Sequence, residues 1–304
     1  MPGPGTNTRL ATGQASFKAR AKINLALHVT GRRRDGYHLL DSLVVFADVG
    51  DQLNIFAAER GSLEISGPFS DGLLVEKNNL VLQAYRKLSD ALQSPLPTTG
   101  FQLEKNLPVS SGIGGGSADA AAALNGLVDL WKIDIEPQKL ADIALTLGAD
   151  VPVCLAGRNC RMQGIGEVLS FIEDFPVIDC VLVNPGVGVS TPVVFKDLDL
   201  QAGQIGFSAM ADLPSGARLD DWLEWLGQTR NDLQQAAIKQ APEIQRAVTA
   251  LEQTTGCQLA RMSGSGATCF GLFNSTDEAC NAAEKISDEN PDWWVVATQI
   301  GHNS

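Results

Sequence analysis

A glycine-rich segment in the middle of the chain carries the strongest chemical signal. It consists of Pro108, Val109, Ser110, Ser111, Gly112, Ile113, Gly114, Gly115, Gly116, Ser117 and Ala118, and a helix-favouring run follows it. Glycines have no Cβ, so backbone N–H groups can approach an anion, and the amino end of a helix adds partial positive charge. The segment predicts a phosphate-binding loop; a flexible hinge or a close helix–strand contact is the alternative.

The loop differs from two common nucleotide motifs. No Lys-Ser/Thr pair follows its last glycine, as a Walker A loop requires, and Ser117 stands where the dinucleotide fingerprint has its final glycine. A second glycine cluster, Met262 to Thr268, supplies backbone for a close approach or forms a tight turn. Neither segment completes G-x-S-x-G, which excludes a serine hydrolase of that type.

Three polar side chains could act on a bound phosphate. Lys22 and Asn24 are two residues apart on a predicted strand, so they share a face and lie about 7 Å apart along it. Asp150 follows a predicted helix end at Gly148 and precedes Pro152 by two residues. A carboxylate can accept a proton from an alcohol, and an ammonium ion favours negative charge developing on oxygen. The alternatives are a solvated strand face for the lysine and a turn-forming role for the aspartate.

Further candidates lie around a turn near the start of the chain. Residues 32–34 are three arginines, which are typical of an exposed turn but could contact an acidic substrate. Tyr37 and His38 follow this turn, and Phe195 follows Thr191-Pro192. By residue type alone, these aromatic side chains are more typical of packing than of ligand contact.

The hydrophobic pattern predicts the elements that position these residues. Alternation from Phe17 to Val29 predicts a long strand with one buried face. Further strands are predicted over 39–46, 51–57, 101–104, 181–183, 193–195, 269–273 and 295–298, and helices over 78–92, 118–131, 137–147, 219–226, 241–254 and 276–287. Because strands and helices mix without a regular βαβ alternation, we expect an α+β fold, with domains of 1–160 and 161–304.

Composition limits the classes of partner. The 304 residues include 23 Lys and Arg against 35 Asp and Glu, a formal net charge of −12, which disfavours binding to nucleic acid or anionic membranes. No stretch approaches the roughly 20 apolar residues that cross a bilayer, and residues 1–14 look like a loose lead-in without the apolar core of a secretory signal. The six cysteines form no C-x-x-C pair, and the three histidines have no metal-ligand spacing. We therefore expect a cytoplasmic protein with free thiols and no structural metal.

Together, the motifs resemble the GHMP kinases, the family of galactokinase, homoserine kinase and mevalonate kinase. The resemblance rests on the early lysine strand, the Pro-x-x-x-Gly-x-Gly-Gly-Gly-Ser-Ala loop and the Ser-Gly-Ser-Gly-Ala turn at 263–267. Residues 21–25, 31–38 and 147–152 (Ala-Lys-Ile-Asn-Leu, Gly-Arg-Arg-Arg-Asp-Gly-Tyr-His and Leu-Gly-Ala-Asp-Val-Pro) are similar to a branch that phosphorylates a cytidine diphosphate-linked methylerythritol. Matching segments extend from Phe17 to Phe273, most of the chain.

The resemblance implies a two-lobed GHMP kinase fold, with an N-terminal and a C-terminal domain and the active site in the cleft between them. It also implies roles for individual residues: Lys22 and Asp150 as the catalytic pair, residues 108–118 as the ATP phosphate loop, residues 263–267 as a third glycine motif, Tyr37, His38 and Phe195 around the cytosine, and Asn24 in the substrate cleft. Ser110 and Ser111 depart from the glycines of some relatives, so the shape of that part of the loop is not predicted.

The implied reaction uses ATP and Mg²⁺ and gives ADP and the 2-phosphate of a small-molecule substrate in the non-mevalonate isoprenoid pathway. We assign Asp150 as the base that accepts the hydroxyl proton, and Lys22 as the group that stabilises the developing charge. Ser117 could contact Mg²⁺, and the sequence singles out no carboxylate ligand or oligomeric state. Two alternatives remain: a kinase for another alcohol, such as homoserine or mevalonate, and a nucleotide or metabolite sensor without turnover.

Overall fold

The predicted α+β fold is confirmed by the structure, a computed structural model that describes residues 9–10, 13–71, 73, 79–92, 94–216 and 218–303. Its strands are β1 (Arg9–Leu10), β2 (Gln14–Arg32), β3 (His38–Ala57), β4 (Ser62–Ser66), β5 (Thr99–Glu104), β6 (Cys160–Gly164), β7 (Val168–Phe171), β8 (Ile178–Asn184), β9 (Leu259–Met262), β10 (Cys269–Phe273) and β11 (Trp294–Ile300). Its helices are α1 (Leu80–Ala91), α2 (Gly115–Leu130), α3 (Pro137–Leu147), α4 (Val151–Ala156), α5 (Thr191–Lys196), α6 (Leu219–Gly227), α7 (Gln234–Gln240), α8 (Glu243–Glu252) and α9 (Thr276–Glu289). Most of the predicted lead-in, and residue 78 at the start of the first predicted helix, lie outside the described residues.

Two groups of strands meet on β3. In the first group β2 and β3 form a long antiparallel pair, β5 joins β3 to β4, and β6 joins β3 to β7. The second group has the order β11-β8-β10-β9, and Ile300 of β11 pairs with Ala47 of β3. β6 begins at the predicted domain boundary near residue 160 yet pairs with the first group. The division into 1–160 and 161–304 stays a prediction.

Helices bury a separate core on each group of strands. α1 to α4 cover β2, β3 and β5 around side chains such as Leu53 and Phe101, whereas α7, α8 and α9 cover β8 and β10. A third core, which includes Ile23, Trp222 and Phe270, runs from β2 to β10. Burying one large apolar side chain stabilises a fold by about 1.5–3 kcal/mol, so this shared core ties the two groups together.

The long strand β2 differs from its predicted form. Alternation indicates one buried face, but residues 21–29 are buried on both faces. The register between β2 and β3 shifts between Arg20 and Lys22 and again between Asn24 and Ala26, as in β-bulges. Bulges redirect side chains locally. The polar face of β2 is buried because the glycine-rich loop bonds to it at Lys22, and the segments of Ser208 and Arg230 bond to it at His28.

The predicted strand over 193–195 is wrong, because these residues belong to helix α5. Val193, Val194 and Phe195 favour strands by type, but Pro192 lies in the first turn of the helix, where its fixed φ is suitable, and Ser190 occupies the N-cap position. The predicted strands over 39–46 and 51–57 are parts of the single strand β3. Local turn chemistry therefore outweighs β propensity at α5.

Two smaller expectations concern membranes and cysteines. Within the part of the chain that the structure covers, no helix combines the length and apolar character that a membrane span needs. All six cysteines are free; Cys160, Cys180 and Cys269 are buried, whereas Cys280 is exposed.

Candidate active site

Lys22 and Asp150 form an ion pair at the centre of the cleft. Lys22 Nζ donates a hydrogen bond to Asp150 Oδ2 over 2.9 Å, although the two residues are 128 positions apart. The exposed fraction of the side chain is 4% for Lys22 and 39% for Asp150. The structure thus joins the two residues that the sequence singles out as a catalytic pair.

Asp150 occupies the N-cap position of α4, where an aspartate usually accepts a hydrogen bond from its own helix. Its side chain makes no such bond. The carboxylate is directed to Lys22 instead, and part of it remains open to the cleft. A structural role in capping therefore does not account for this residue.

The glycine-rich loop lies beside this ion pair. Gly114, at the N-cap of α2, has φ of 67° and provides no side-chain cap, so the first N–H groups of the helix remain available to an anion. A Cβ added at Gly114 would lie 3.3 Å from Lys22 Cβ and 3.4 Å from Lys22 Cε. The backbone N–H of Lys22 donates to the carbonyl of Ile113 over 2.9 Å. The lysine side chain thus runs along the start of α2.

The two glycine segments touch through their backbones. A Cβ at Gly112 would come within 2.6 Å of the carbonyl oxygens of Ser263 and Gly266, and one at Gly264 within 2.5 Å of the Gly112 carbonyl oxygen. The N–H of Thr268 donates to the carbonyl of Ser111 over 3.0 Å. Close packing therefore explains Gly112 and Gly264, whereas Gly114 faces Lys22.

A cavity of about 970 Å³ brings most of the predicted site residues together. Its lining includes Lys22, Asn24, Tyr37, His38, Asp150, Phe195, residues 109–112 and residues 114–117. Three residues of the predicted loop are not part of this lining: Pro108, Ile113 and Ala118. Ile113 and Ala118 are buried in the apolar cores, and the Pro108 carbonyl accepts a hydrogen bond from the Ser111 hydroxyl over 2.6 Å. These three residues therefore stabilise the conformation of the loop and do not face the cavity.

Part of the cavity wall is aromatic. The rings of His38 and Phe195 lie 4.8 Å apart between centroids, at an interplanar angle of 31°. Burial lowers the pKa of His38, and the positive charge of Arg32 lowers it further. His38 Nε2 is buried without a protein hydrogen-bond partner, and Tyr37 is 60% exposed at the edge of the cavity. A neutral imidazole in contact with the Phe195 ring is suited to a flat heterocycle with polar edges.

Asn24 provides a second buried polar atom without a protein partner. Its amide nitrogen donates to the hydroxyl of Ser42 over 2.8 Å, and its backbone N–H donates to the hydroxyl of Ser263 over 3.0 Å. Its Oδ1 atom is buried and unpaired. Buried polar atoms are nearly always satisfied, so this oxygen is available to a ligand donor in the cavity.

A buried charge cluster under the loop was not identified from the sequence. Lys105 Nζ donates to Asp119 Oδ2 over 2.7 Å and also to Asp51 Oδ2, and Asp51 Oδ1 accepts from the N–H of Leu107 over 2.8 Å. A Cβ at Gly115 would lie 3.6 Å from both Lys105 Nζ and Asp51 Oδ2. The sequence signal that could have found this cluster is the charge on each side of the loop: Asp119 follows the loop directly, and Lys105 lies three residues before it.

Comparisons with known proteins identify the family of the chain. The family model for the GHMP kinases N terminal domain matches residues 79–158, and the model for the GHMP kinases C terminal matches residues 209–292. These two matches cover more than half of the chain. The chain belongs to the GHMP kinase family.

Two named relatives show which members of the family this chain is similar to. A 4-diphosphocytidyl-2-C-methyl-D-erythritol kinase of Cereibacter sphaeroides (strain ATCC 17029 / ATH 2.4.9) is 52% identical, with 93% of this chain and 98% of that protein covered. A protein of the same name from Rhizobium etli (strain CIAT 652) is 47% identical, with 93% of each chain covered.

Solved structures show the same relationship. The crystal structure of a 4-(cytidine 5'-diphospho)-2C-methyl-D-erythritol kinase matches with a TM-score of 0.75 and 32% identity over 94% of this chain and 99% of that one. A homoserine kinase from Cytophaga hutchinsonii matches with a TM-score of 0.66 and 17% identity over 96% of each chain. At that identity the second match indicates a shared fold only.

Proposed function

We propose that this chain transfers the γ-phosphoryl group of ATP to the 2-hydroxyl of 4-diphosphocytidyl-2-C-methyl-D-erythritol. The products are ADP and the 2-phosphate, an intermediate of the non-mevalonate isoprenoid pathway. Two relatives that are 47% and 52% identical over 93% of the chain carry the name of this kinase, which supports the proposal. The net charge of −12 is consistent with a small-molecule substrate rather than nucleic acid. A cytoplasmic location stays a prediction.

One observation carries the proposal. The Lys22–Asp150 pair lies beside the uncapped start of α2, in a single cavity whose lining also includes His38 and Phe195. A phosphate site, a proton acceptor and a heterocycle site are therefore in one space. Phosphoryl transfer to a nucleotide-linked alcohol needs these three sites together.

The ion pair supplies the acid–base and electrostatic parts of the reaction. Asp150 accepts the proton of the substrate hydroxyl as oxygen attacks the γ-phosphorus atom. Lys22 lies 2.9 Å from this carboxylate and stabilises negative charge on the attacking and transferring oxygens. The N–H groups at the start of α2 hold the phosphates, so most of the catalytic effect comes from positioning and charge.

The aromatic part of the cavity wall selects the substrate. We assign Tyr37, His38 and Phe195 to the cytosine, which would lie against the aromatic rings and bond to His38 Nε2. Asn24 offers its unpaired Oδ1 atom to a hydroxyl of the sugar alcohol. Recognition of the base fixes the distance between the hydroxyl and Asp150.

We also propose that Mg²⁺ takes part, held mainly by the phosphate oxygens. Among the described residues, no group of three or more His, Cys, Asp and Glu side chains could hold a metal ion. The cavity wall does present hard oxygen atoms from the Ser117 hydroxyl and the Asp150 carboxylate. Mg²⁺ prefers such oxygens and usually keeps few protein ligands beside substrate phosphates, so these residues fit it. When bound, the ion neutralises phosphate charge.

A coupled assay of ADP release tests this proposal. Purified protein would receive ATP with the cytidine-linked substrate, homoserine or mevalonate in parallel, and the position of the new phosphate would be assigned by phosphorus NMR. We expect turnover with the cytidine-linked compound only, and phosphate at the 2-hydroxyl. Turnover of homoserine or mevalonate instead would contradict the assignment of the substrate. Binding of ATP and the cytidine compound without any ADP release would identify a sensor.

A further inference from the structure

The three consecutive arginines at 32–34 have different environments. Arg33 and Arg34 are exposed, whereas Arg32 is half-buried and lines the cavity. Arg33 pairs with the exposed carboxylate of Asp35. The side chain of Arg32 is directed inward instead, so the three arginines do not act as one charged surface.

The guanidinium of Arg32 connects two segments of the chain. Its Nε donates to the carbonyl of Gly36 over 3.1 Å, and one terminal nitrogen donates to the carbonyl of Leu200 over 2.8 Å. The backbone of Arg32 joins the same region, since its N–H donates to the Gln204 carbonyl over 2.9 Å and its own carbonyl accepts from Gly203 over 2.7 Å. A planar, rigid donor group with two acceptors fixes the distance between them.

Each connected segment carries one portion of the aromatic part of the cavity wall. The carbonyl of Gly36 immediately precedes Tyr37 and His38. Leu200 is buried and follows α5, the helix that carries Phe195. Arg32 therefore spans the two backbones whose side chains form the 4.8 Å contact between His38 and Phe195.

We propose that Arg32 is a positioning residue for recognition of the pyrimidine base. By tying the β2–β3 turn to the segment after α5, it holds the His38 and Phe195 rings in their 4.8 Å contact, against which a flat heterocycle would lie. The positive charge of Arg32 also favours the neutral form of the His38 imidazole. Burial is the larger cause of the lowered pKa of His38, and this charge lowers the pKa further. This inference rests on the proposed function of the site.

Base discrimination provides the test. Initial rates would be measured for the wild type, Arg32→Gln, Arg32→Lys and Arg34→Gln with the cytidine diphosphate-linked substrate and with its uridine analogue. For Arg32→Gln we expect a rise of about tenfold in KM for the cytidine compound, the effect of losing a charged hydrogen-bond donor, with kcat and the KM for ATP within about twofold. The preference for cytidine over uridine should fall by a similar factor. Arg32→Lys keeps the charge but not the planar two-carbonyl bridge, so it should lie between Arg32→Gln and the wild type.

A matched control variant, and the thermal midpoint of each variant, distinguish this positioning role from a general effect on stability. Arg34→Gln removes an exposed arginine of the same run and should leave all constants unchanged. A general loss of stability would raise both KM values or lower kcat without changing the ratio between the two bases.

Unchanged base preference in a folded, active Arg32→Gln protein would overturn the inference and leave the proposed function intact. Full recovery in Arg32→Lys would also overturn it, since charge alone would then suffice. A wild type that does not turn over the cytidine compound would contradict the proposed function, and this inference with it.

Discussion

The carboxylate of Asp150 is 39% exposed and does not cap α4, so we expect a protein that lacks it to remain folded. Asp150→Asn keeps an oxygen for the Lys22 ammonium but cannot take up the substrate proton at neutral pH. We expect kcat to fall by ~100-fold or more, the usual effect of losing a general base, while ATP affinity stays near that of the wild type. The thermal midpoint should fall, because the mostly buried Lys22 ammonium loses its counter-charge. Steady-state rates, equilibrium ATP binding and thermal denaturation would be compared.

A carboxylate on a neighbouring helix is the control for that variant. Asp142 lies on α3, is exposed, and accepts a hydrogen bond from the Gln138 side chain over 3.0 Å. Asp142→Asn should retain full activity. If Asp150→Asn keeps near-normal turnover, the residue is not the base, and Lys22 would then act on a hydroxyl that loses its proton elsewhere.

At Tyr37 the expected effect is on substrate affinity. The side chain is 60% exposed beside the cavity, so Tyr37→Ala should cost little stability. Stacking of a base on an aromatic ring stabilises a complex by about 1–3 kcal/mol, so KM for the cytidine compound should rise by roughly tenfold while KM for ATP changes little. Tyr37→Phe keeps the ring and should restore affinity. Equal increases in both KM values for Tyr37→Ala would contradict the assignment.

At the scale of elements, the glycine loop and the second glycine turn are one unit. Gly112 has φ of 76°, and a Cβ there would meet the Ser263 and Gly266 carbonyl oxygens at 2.6 Å. Gly112→Ala therefore combines a left-handed backbone with a backbone clash. We expect a loss of about 1–3 kcal/mol in the free energy of unfolding, together with a higher KM for ATP, because the clash pushes the loop away from the Ser263–Gly266 turn.

Gly227→Ala is the matched control for this change. Gly227 ends α6, and a Cβ there would have no heavy atom within 4 Å. Its thermal midpoint and KM for ATP should equal those of the wild type. A Gly112→Ala protein with wild-type stability and ATP affinity would show that the two glycine segments are not packed against each other in solution.

The elements also show which parts of the site can be predicted from sequence. The lysine strand, the loop before α2 and the helix end before Asp150 carry strong local patterns, and the structure places their residues in one cleft. The burial of both faces of β2 could not be predicted. The alternation of apolar and polar residues indicates only the apolar face, and the residues that cover the other face are far away in the sequence. The Lys105 cluster likewise depends on contacts across the first sheet, since Asp51 is 54 residues away in the chain.

Helix α5 shows a second reason why part of the site could not be predicted from the sequence. Its apolar triplet has the composition of a buried strand, and only Ser190 and Pro192 before it indicate a helix start. Phe195 is consequently a site residue that can be proposed from family resemblance, although its element was assigned incorrectly. The side chain reaches the cavity because α5 packs beside the β2–β3 turn, where His38 contacts it.

At the scale of the whole molecule, a buried ion pair connects the first sheet to the segment between α5 and α6. Asp41 of β3 accepts two hydrogen bonds from Arg161 of β6, from Nε and a terminal nitrogen, each over 2.7 Å. The same carboxylate accepts from the N–H of Met210 over 2.9 Å, and Arg161 donates to the Met210 carbonyl over 2.9 Å. The exposed fractions of the side chains are 1% for Asp41 and 15% for Arg161.

Because of this ion pair, the free energy of unfolding depends on pH in the acidic range. Burial alone would raise the pKa of Asp41, but hydrogen bonds from Arg161 and Met210, with the charge of Arg161, outweigh burial and lower it. A carboxyl group whose pKa is lower in the folded state stabilises the fold above its ordinary pKa of about 3.9. That contribution is lost as pH falls through the lowered value.

Asp41→Asn should reduce the free energy of unfolding by about 3 kcal/mol at pH 7, because it leaves the mostly buried Arg161 without its counter-charge. The difference from the wild type should shrink as pH falls below about 4, where Asp41 of the unfolded wild-type chain takes up a proton, and it should be lost once pH passes the lowered pKa of the folded state. Urea unfolding at pH 7, 4 and 2.5 measures both effects. Asp35→Asn, which removes an exposed partner of Arg33, should change stability by less than about 1 kcal/mol at each pH. A constant difference between Asp41→Asn and the wild type down to pH 2.5 would mean that the charge of Asp41 does not hold the sheet and the α5–α6 segment together.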